Sequence, residues 1–546
     1  MGAHSVTCHF CSMQDSFEIV FELTSQKAYF SKEHVPKIGY HYSRNGLCPR
    51  GNFCLEALKH TKRVAYCTVD GMQTRCSEAL ETVRERLKGI DPAKVAILIS
   101  GSVPLEVAYK TALVANSCGI RFVSTVNFDD IITAKFMNNY SREKIAEQEI
   151  ILAIGDVFTN HPTISKLVHE ARFAERKNFL AVVDNTSSRT SWFAWQFLKA
   201  KPGRTAAVVK ALAKAVRGEK AEVKNIDVDK ATFDKLVNLL QGAKSCAVLY
   251  SPGTGRFMDP LSIGYWAKQL ADARGFMFAA MSTSSNGRGV ARILEANGLG
   301  NLKNTLAAIN AGDIEALICL GCDPVEAYPG IYQKVKDIPV RIATATLPTA
   351  ITKIAQVVLP TKFLFERTGT ILSLSERKYE LNDSVPSPDY PCECAVLDSI
   401  ADVYGGSADF EQSEMIASMD SFAYLAEEPE IKEVDLGEIP VVGYSLPHHH
   451  GDGSITRKFS WIRKNTAESD GNVLISPAFA KKMGIMNGDS VVVETKDGKG
   501  EFTVRIQEDL TDDIVLVPVY MPSGRAVLGW DDDFGFVPTT GRIEKV

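Results

Sequence analysis

The chain has 546 residues, 45% of them hydrophobic, and 61 Lys and Arg against 66 Asp and Glu leave a net charge of −5. That length exceeds one ordinary core and calls for several domains, while balanced charge without a basic block gives nucleic acid nothing to bind. No apolar run approaches the roughly 20 residues of a membrane span, and the N-terminus lacks a basic stretch followed by an apolar one, so a cytoplasmic protein with no transmembrane segment is expected.

The first elements surround cysteines. Cys8 and Cys11 form a C-x-x-C, Asp15 completes C-x2-C-x3-D, and Cys48 lies in Gly46-Leu47-Cys48-Pro49-Arg50-Gly51, with Cys54 following. Twelve cysteines are too sparse here for a disulfide scaffold, and thiols in a chain without an export signal stay reduced, so clustered cysteines read as metal ligands. Phe17-Glu-Ile-Val-Phe-Glu-Leu alternates as a half-buried strand does, residues 27–30 suit a partner strand, and residues 52–58 begin a helix leading away from Cys48. Cys67, Cys76, Cys118 and Cys246 stand alone and read as small buried hydrophobes. The pairs Cys319/Cys322 and Cys392/Cys394 have no second pair beside them to complete a metal site.

From Val95 the pattern becomes buried strand followed by long helix. Residues 95–100, 149–155, 179–184, 246–250, 316–320, 340–344 and 357–360 are continuous apolar runs separated by helical stretches. That is the pattern of parallel sheets covered on both faces, and it predicts two doubly wound α/β domains with ligands at the carboxyl ends of the strands. Between about Gly405 and Pro440 the chain turns acidic, with Glu427, Glu428, Glu430, Glu433, Asp435 and Glu438. It reads as a helix and linker, with a solvated surface favoured over an anionic docking face. Beyond it, residues 474–499 give short strands with Asn-Gly and Asp-Gly turns, an all-β ending that predicts a barrel.

In collinear order these stretches resemble the molybdopterin oxidoreductase superfamily: formate dehydrogenases, nitrate reductases and the large iron-sulfur subunit of respiratory complex I. Gly155-Asp-Val-Phe-Thr-Asn160-His161-Pro162 resembles the family's G-x-N-x-x-x-x-H-P, and Val183-Asp184-Asn-Thr186 its V-V-D-P-R-x-T. Lys201-Pro202-Gly203 resembles R-P-G-T-D, Leu320-Gly321-Cys-Asp-Pro324 L-G-x-N-P, and Glu366-Arg-Thr-Gly369-Thr370 E-x-x-G-T. His448-His449-His450-Gly-x-Gly-x-Ile-Thr456-Arg457 resembles H-H-x-x-G-T-M-T-R.

The resemblance implies an iron-sulfur domain at 1–62, an α/β body at 63–404 with a second α/β domain inserted at 146–300, the acidic linker at 405–440, and a dinucleotide-binding-like barrel at 441–546. It implies a [4Fe-4S] cluster on Cys8, Cys11, Asp15 and Cys48; on the residues alone, Cys54 is a competing fourth ligand and structural zinc on the four cysteines the plainer alternative. It further implies Arg50 between cluster and pterin, and a molybdopterin guanine dinucleotide near Gly155, Asn160, His161, Asp184, Thr186, His449 and Thr456. On the residues alone, Gly155 before a helix would offer free N–H groups to an anion, and Asp184 with Thr186 would either take a guanine or ribose or cap a helix.

Several positions depart from the family. The loop after Gly119, where the family presents selenocysteine, cysteine or serine, offers no thiol or selenol; Asp129 or Asp130 could serve instead but equally suit a helix cap. R-P-G-T-D lacks its aspartate, and T-E-T appears as Leu347-Pro348-Thr349. The expectation is therefore an electron-transfer subunit of an oxidoreductase complex, partnered by other redox subunits, with a degenerate catalytic metal site. The alternatives are an active molybdenum or tungsten enzyme resembling formate dehydrogenase and a zinc-bearing scaffold.

Overall fold

Val95–Ile99 and Ala316–Leu320 lie side by side at the heart of a seven-stranded sheet, every residue of both buried. The computed structural model describes residues 2–22, 27–30, 47–174, 178–221, 227–381, 384–460, 462 and 471–546. The sheet runs Met72–Thr74, Cys67–Val69, Val357–Pro360, Val340–Ala345, Ala316–Leu320, Val95–Ile99, Phe122–Thr125. Its last five strands are parallel. Continuous apolar runs are needed because helices cover both faces.

Between Phe122–Thr125 and Ala316–Leu320 the chain builds a five-stranded, wholly parallel sheet, ordered Gln196–Lys199, Phe179–Asp184, Ile150–Ile154, Cys246–Tyr250, Met277–Ala280. Its first strand in sequence is central, and the strand order reverses between Ile150–Ile154 and Cys246–Tyr250. Connections there leave in opposite directions, which opens a crevice at the carboxyl ends.

At the N-terminus Gly2–Thr7, Ser16–Glu22 and Lys27–Phe30 form an antiparallel sheet. Residues 8–15 connect its first two strands and carry Cys8, Cys11 and Asp15. Val6, Cys8, Phe10, Phe17 and Ile19 pack with Phe363, Phe365 and Phe459, so this unit is docked on the larger body through an apolar contact.

The C-terminal strands close into a six-stranded barrel, in the order Pro440–Tyr444, Val515–Pro518, Val473–Ile475, Lys499–Ile506, Ser490–Thr495, Thr539–Lys545. Asp497 and Gly498 make the expected hairpin turn, with Glu494 facing Lys499. The stretch after Ser476, expected as strand, is instead the helix Pro477–Met483. Proline occupies its first turn and the Ser476 Oγ accepts the Phe479 N–H at 3.1 Å, so the local capping chemistry overrides the apolar pattern.

The acidic segment contains the helix Gln412–Asp420 and then a strap without regular structure. Glu428 pairs with Lys210 at 2.6 Å, Glu433 with Arg204 at 2.6 Å and Asp435 with Lys201 at 3.0 Å. A Cβ on Gly203 would stand 2.2 Å from the Val434 carbonyl oxygen, so Lys201-Pro202-Gly203 needs its glycine for the strap to cross. Three of the acids are thus engaged within the chain, and Leu436 anchors the strap at 3% exposure. No described helix is long and apolar enough to cross a membrane.

Candidate functional site

Cys8, Cys11 and Cys48 are all buried. The Cys8 N–H donates to the Asp15 carbonyl at 2.9 Å, and the Gln14 N–H to that of Cys11 at 3.1 Å. Gln14 adopts φ +48°, and its side-chain amide donates to the Ser285 and Leu372 carbonyls at 2.6 and 2.8 Å. Both parts of the α/β body therefore hold the loop tip in place. Cys48 precedes the short helix Pro49–Asn52, which carries Arg50.

Arg50 ties three segments together. Its Nε donates to the Pro447 carbonyl at 2.9 Å, and its Nη2 to those of Thr159 and Asn160 at 2.7 and 3.0 Å. Burial pushes the Cys11 thiol up to about 11 and Cys48 up to about 12, opposed in both cases by the Arg50 charge. Cys8, Cys11 and Asp15 each push Cys48 further up, so these groups share one electrostatic environment.

The buried Asp15 carboxylate accepts the Arg142 guanidinium on Oδ1 at 2.6 Å. Arg142 also donates to the Met13 carbonyl at 3.2 Å, which fixes its approach. Cys54 begins the helix Cys54–Leu58, and its side chain lies outside the described residues. Among the described residues, no three His, Cys, Asp or Glu side chains close up enough to hold a metal ion.

Behind Arg50 lies the crevice of the five-stranded sheet. Gly155 has φ +87°, and a Cβ there would meet the Ser251 carbonyl oxygen at 2.5 Å. Its N–H, expected to be free for an anion, donates to Val183 at 3.0 Å, because the neighbouring strand extends alongside it. The Asn160 side chain donates to Ser251 Oγ at 3.0 Å. Burial, then the Arg50 charge, pushes His161 down to about 3, so it is neutral.

Asp184 neither caps a helix nor stands open to a ligand. Arg256 donates to both its oxygens, at 2.9 and 2.6 Å, and to the Thr186 carbonyl at 3.1 Å. Asn185 Oδ1 and Thr186 Oγ1 are buried without a hydrogen-bond partner among the described residues. A cavity of about 20 Å³ remains beside Asp156, Asn160, Arg256 and Tyr444, between crevice and barrel. That is room for about one water.

His449 is stacked on Tyr520 with centroids 4.2 Å apart, and its Nδ1 lies 3.1 Å from Thr456 Oγ1. Both residues are buried and shape the loop leading into the barrel. His450 Nε2 lies 2.9 Å from the Thr283 carbonyl, and burial followed by Arg50 pushes its ring down to about 4.

Asp129 and Asp130 sit in the first turn of Phe128–Ala134. Asp129 accepts from Thr283 Oγ1 at 2.9 Å, and Asp130 from the Ser284 N–H at 3.0 Å. A Cβ on Gly101 or Gly287 would come within 2.4 or 2.2 Å of the Asp130 carboxyl, so backbone from both α/β units closes on this acid.

Residues 76–389 match the family model for molybdopterin oxidoreductases, and residues 445–531 that of the molydopterin dinucleotide binding domain. The chain belongs to the molybdopterin oxidoreductase family. Among curated proteins it is 24% identical over 273 residues to the alpha subunit of the NADPH-Fe(3+) oxidoreductase of two Geobacter sulfurreducens strains, covering 45% of this chain and 31% of that one. The match thus spans about a third of those relatives' length. Acetylene hydratase from Pelobacter acetylenicus shares the fold, at a TM-score of 0.75 and 12% identity over 100% of both chains.

In this molybdopterin oxidoreductase family member, sequence reading missed three arginines. Arg256 had a usable signal: Cys246–Tyr250 runs into Ser251-Pro-Gly-Thr-Gly-Arg256, a glycine turn at the reversal of strand order. Arg142, and Arg525, which bonds to the Ala327 carbonyl at 2.8 Å, had none, because each meets its partners across a large separation in the chain.

The buried Asp130 also makes a prediction. Burial raises its carboxyl to about 6, against an unfolded value of 3.8. Between those values the folded chain holds a proton that the unfolded chain has released, so this group's contribution to stability falls as pH rises from about 4 to 6. About two pH units correspond to about 3 kcal/mol. Asp130→Asn should remove that fall, seen as a flatter melting temperature between pH 4 and 7 than in wild type. Superimposable profiles would show that Asp130 ionises freely.

Proposed function

We propose that this protein is an electron-transfer subunit of a multi-subunit oxidoreductase complex, with one [4Fe-4S] cluster and a degenerate catalytic metal site. The observation that carries this reading is the burial of Cys8, Cys11 and Cys48 in one environment with Arg50, whose other bonds reach the crevice loop and the loop entering the barrel. Asp15 suits the fourth ligand, since Arg142 holds Oδ1 while Oδ2 makes no hydrogen bond among the described residues. A carboxylate oriented by a second hydrogen bond is a better-aimed ligand. Cys54 is the alternative.

A cubane, when bound, supplies one-electron transfer. The chain's own residues provide the rest. Arg50 offers positive charge beside the thiols, and Phe10, with His9 and the rings of Phe363 and Phe365, packs around the loop and excludes water. The named curated relative is itself a subunit, which supports redox subunits as partners.

Against catalysis stand the absence of a thiol or selenol after Gly119, the enclosure of Asp130, and the engagement of Asp184 by Arg256. One observation favours the second reading, an active molybdenum or tungsten enzyme resembling formate dehydrogenase. Asn185 Oδ1 and Thr186 Oγ1, unpartnered among the described residues, suit hydrogen bonds with a molybdopterin guanine dinucleotide. The dinucleotide-binding domain match over residues 445–531 supports a molybdopterin cofactor.

Anaerobic purification followed by elemental analysis separates these readings. The expected result is about four irons and four acid-labile sulfides per chain, with molybdenum and tungsten far below stoichiometric. Stoichiometric molybdenum or tungsten with extractable pterin would replace this reading by the second one. Zinc without iron would make the protein a scaffold.

A further inference from the structure

A cavity of about 270 Å³ opens between the barrel and the seven-stranded domain, its walls including Asn310, Tyr328, Gly330, Arg525, Trp530 and Phe536. Tyr328 and Phe536 stack with centroids 5.8 Å apart at 22°. Trp530 stands edge-on to both, at 5.7 and 5.5 Å, and is partly exposed. Trp530 and Phe536 face each other across one hairpin and Tyr328 comes from a segment about two hundred residues upstream, so the aromatic wall exists only in the folded chain.

At the inner end lies Arg525, 4% exposed. Its Nε donates to the Val519 carbonyl at 2.6 Å and its Nη1 to that of Ala327 at 2.8 Å. Its Nη2 makes no hydrogen bond, and the guanidinium no ion pair, among the described residues. Asp452 and Asp129 act on it only through space, and burial weakens its hold on its proton. A buried guanidinium without a carboxylate partner is costly, and a bidentate oxyanion is its best complement.

We propose that this cavity binds a small planar carboxylate, with the acid on Arg525 and one or two fused rings against Tyr328, Trp530 and Phe536. The volume lies just below the roughly 300–1,000 Å³ of pockets for drug-sized ligands, which suits such a ring and leaves no space for a dinucleotide. Asp497 at the cavity lining favours a monoanion over a phosphate dianion through like-charge repulsion. The site is separate from the thiols and the crevice, and it stands whether or not a cluster or pterin is bound there. Its inner wall, formed by Tyr328, Arg525 and Phe536, is shared with a chamber of about 20 Å³ that holds Asp129.

The test titrates the full chain with 2-naphthoate and with neutral 2-naphthamide, followed by tryptophan fluorescence and calorimetry. Naphthoate should bind, and naphthamide about tenfold or more weakly, since it lacks the charge-assisted bond. A Cβ on Gly330 would meet nothing within 4 Å, so Gly330→Leu should fold normally, narrow the cavity and abolish binding. Arg525→Gln should erase the preference for the acid. Absent naphthoate binding, equal affinity for the two probes, or unchanged binding in Gly330→Leu would each overturn the proposal, whether or not Arg525→Gln folds.

Discussion

Glu376→Ala should destabilise the protein by about 3–5 kcal/mol, the range for breaking a buried ion pair by removing one partner. Glu376 accepts from both Arg288 and Arg292, the latter at 2.5 Å, and these arginines are each 3% exposed at their side chains. Both also donate to the Phe136 carbonyl, at 2.9 and 3.0 Å, and Glu376 accepts the Asn138 N–H at 2.8 Å. The carboxylate thus joins the turn between Gly369–Leu372 and Lys378–Leu381 to the helix Gly287–Ala296 and the chain leading into the five-stranded domain. Its removal strands two cations in a place that water reaches poorly.

Burial alone would raise the Glu376 carboxyl, but Arg288 and Arg292 outweigh it and hold the group down at about 2. Its stabilisation is therefore complete above the unfolded value of 4.5 and is lost as pH falls towards 2. Urea unfolding at pH 7 and pH 3 checks both points. The variant should lose less on acidification than wild type, and a loss below about 1 kcal/mol at pH 7 would mean that water already solvates the arginines.

If Asp15 ligates the proposed cluster, Asp15→Ala should lose most of the iron, whereas Asp15→Cys should keep the iron and shift its reduction potential. Thiolate is the better donor to iron, and a carboxylate completes the site at lower covalency. Removing the carboxylate also frees the buried Arg142, at a cost of about 1–3 kcal/mol, so a folding defect could mimic ligand loss. Asp15→Asn controls for this, because it keeps an acceptor for Arg142 while removing the anionic ligand. Normal melting with low iron in Asp15→Asn would locate the effect in ligation. If Asp15→Ala keeps wild-type iron and potential, Cys54 takes the role.

The strands were legible because burying both faces of a sheet requires an uninterrupted apolar run, and runs such as residues 246–250 and 316–320 appear as strands with those same bounds. The barrel's alternation was legible for the related reason that one face is wet: Phe502 and Val504 point inward between exposed neighbours. Ser476 and Pro477 carried a helix-start signal that the apolar pattern concealed. The acidic strap read as free surface because composition records charge without its partner, and Lys201, Arg204 and Lys210 lie more than two hundred residues upstream.

By itself, then, the sequence determined the parallel strands of the two sheets, the closed barrel and the cysteine loop, since each follows from periodicity, turn chemistry or spacing within a short window, while the antiparallel edge Cys67–Val69 and Met72–Thr74 did not show in it. Only the tertiary structure decided that Asp15 meets Arg142, that Asp184 is covered by Arg256, and that Arg525 reaches a cavity wall with no ion pair among the described residues. Pairing of charges depends on which segments cross in space. No local pattern encodes that, and the low dielectric of the interior makes each such pairing decisive for what the site can bind.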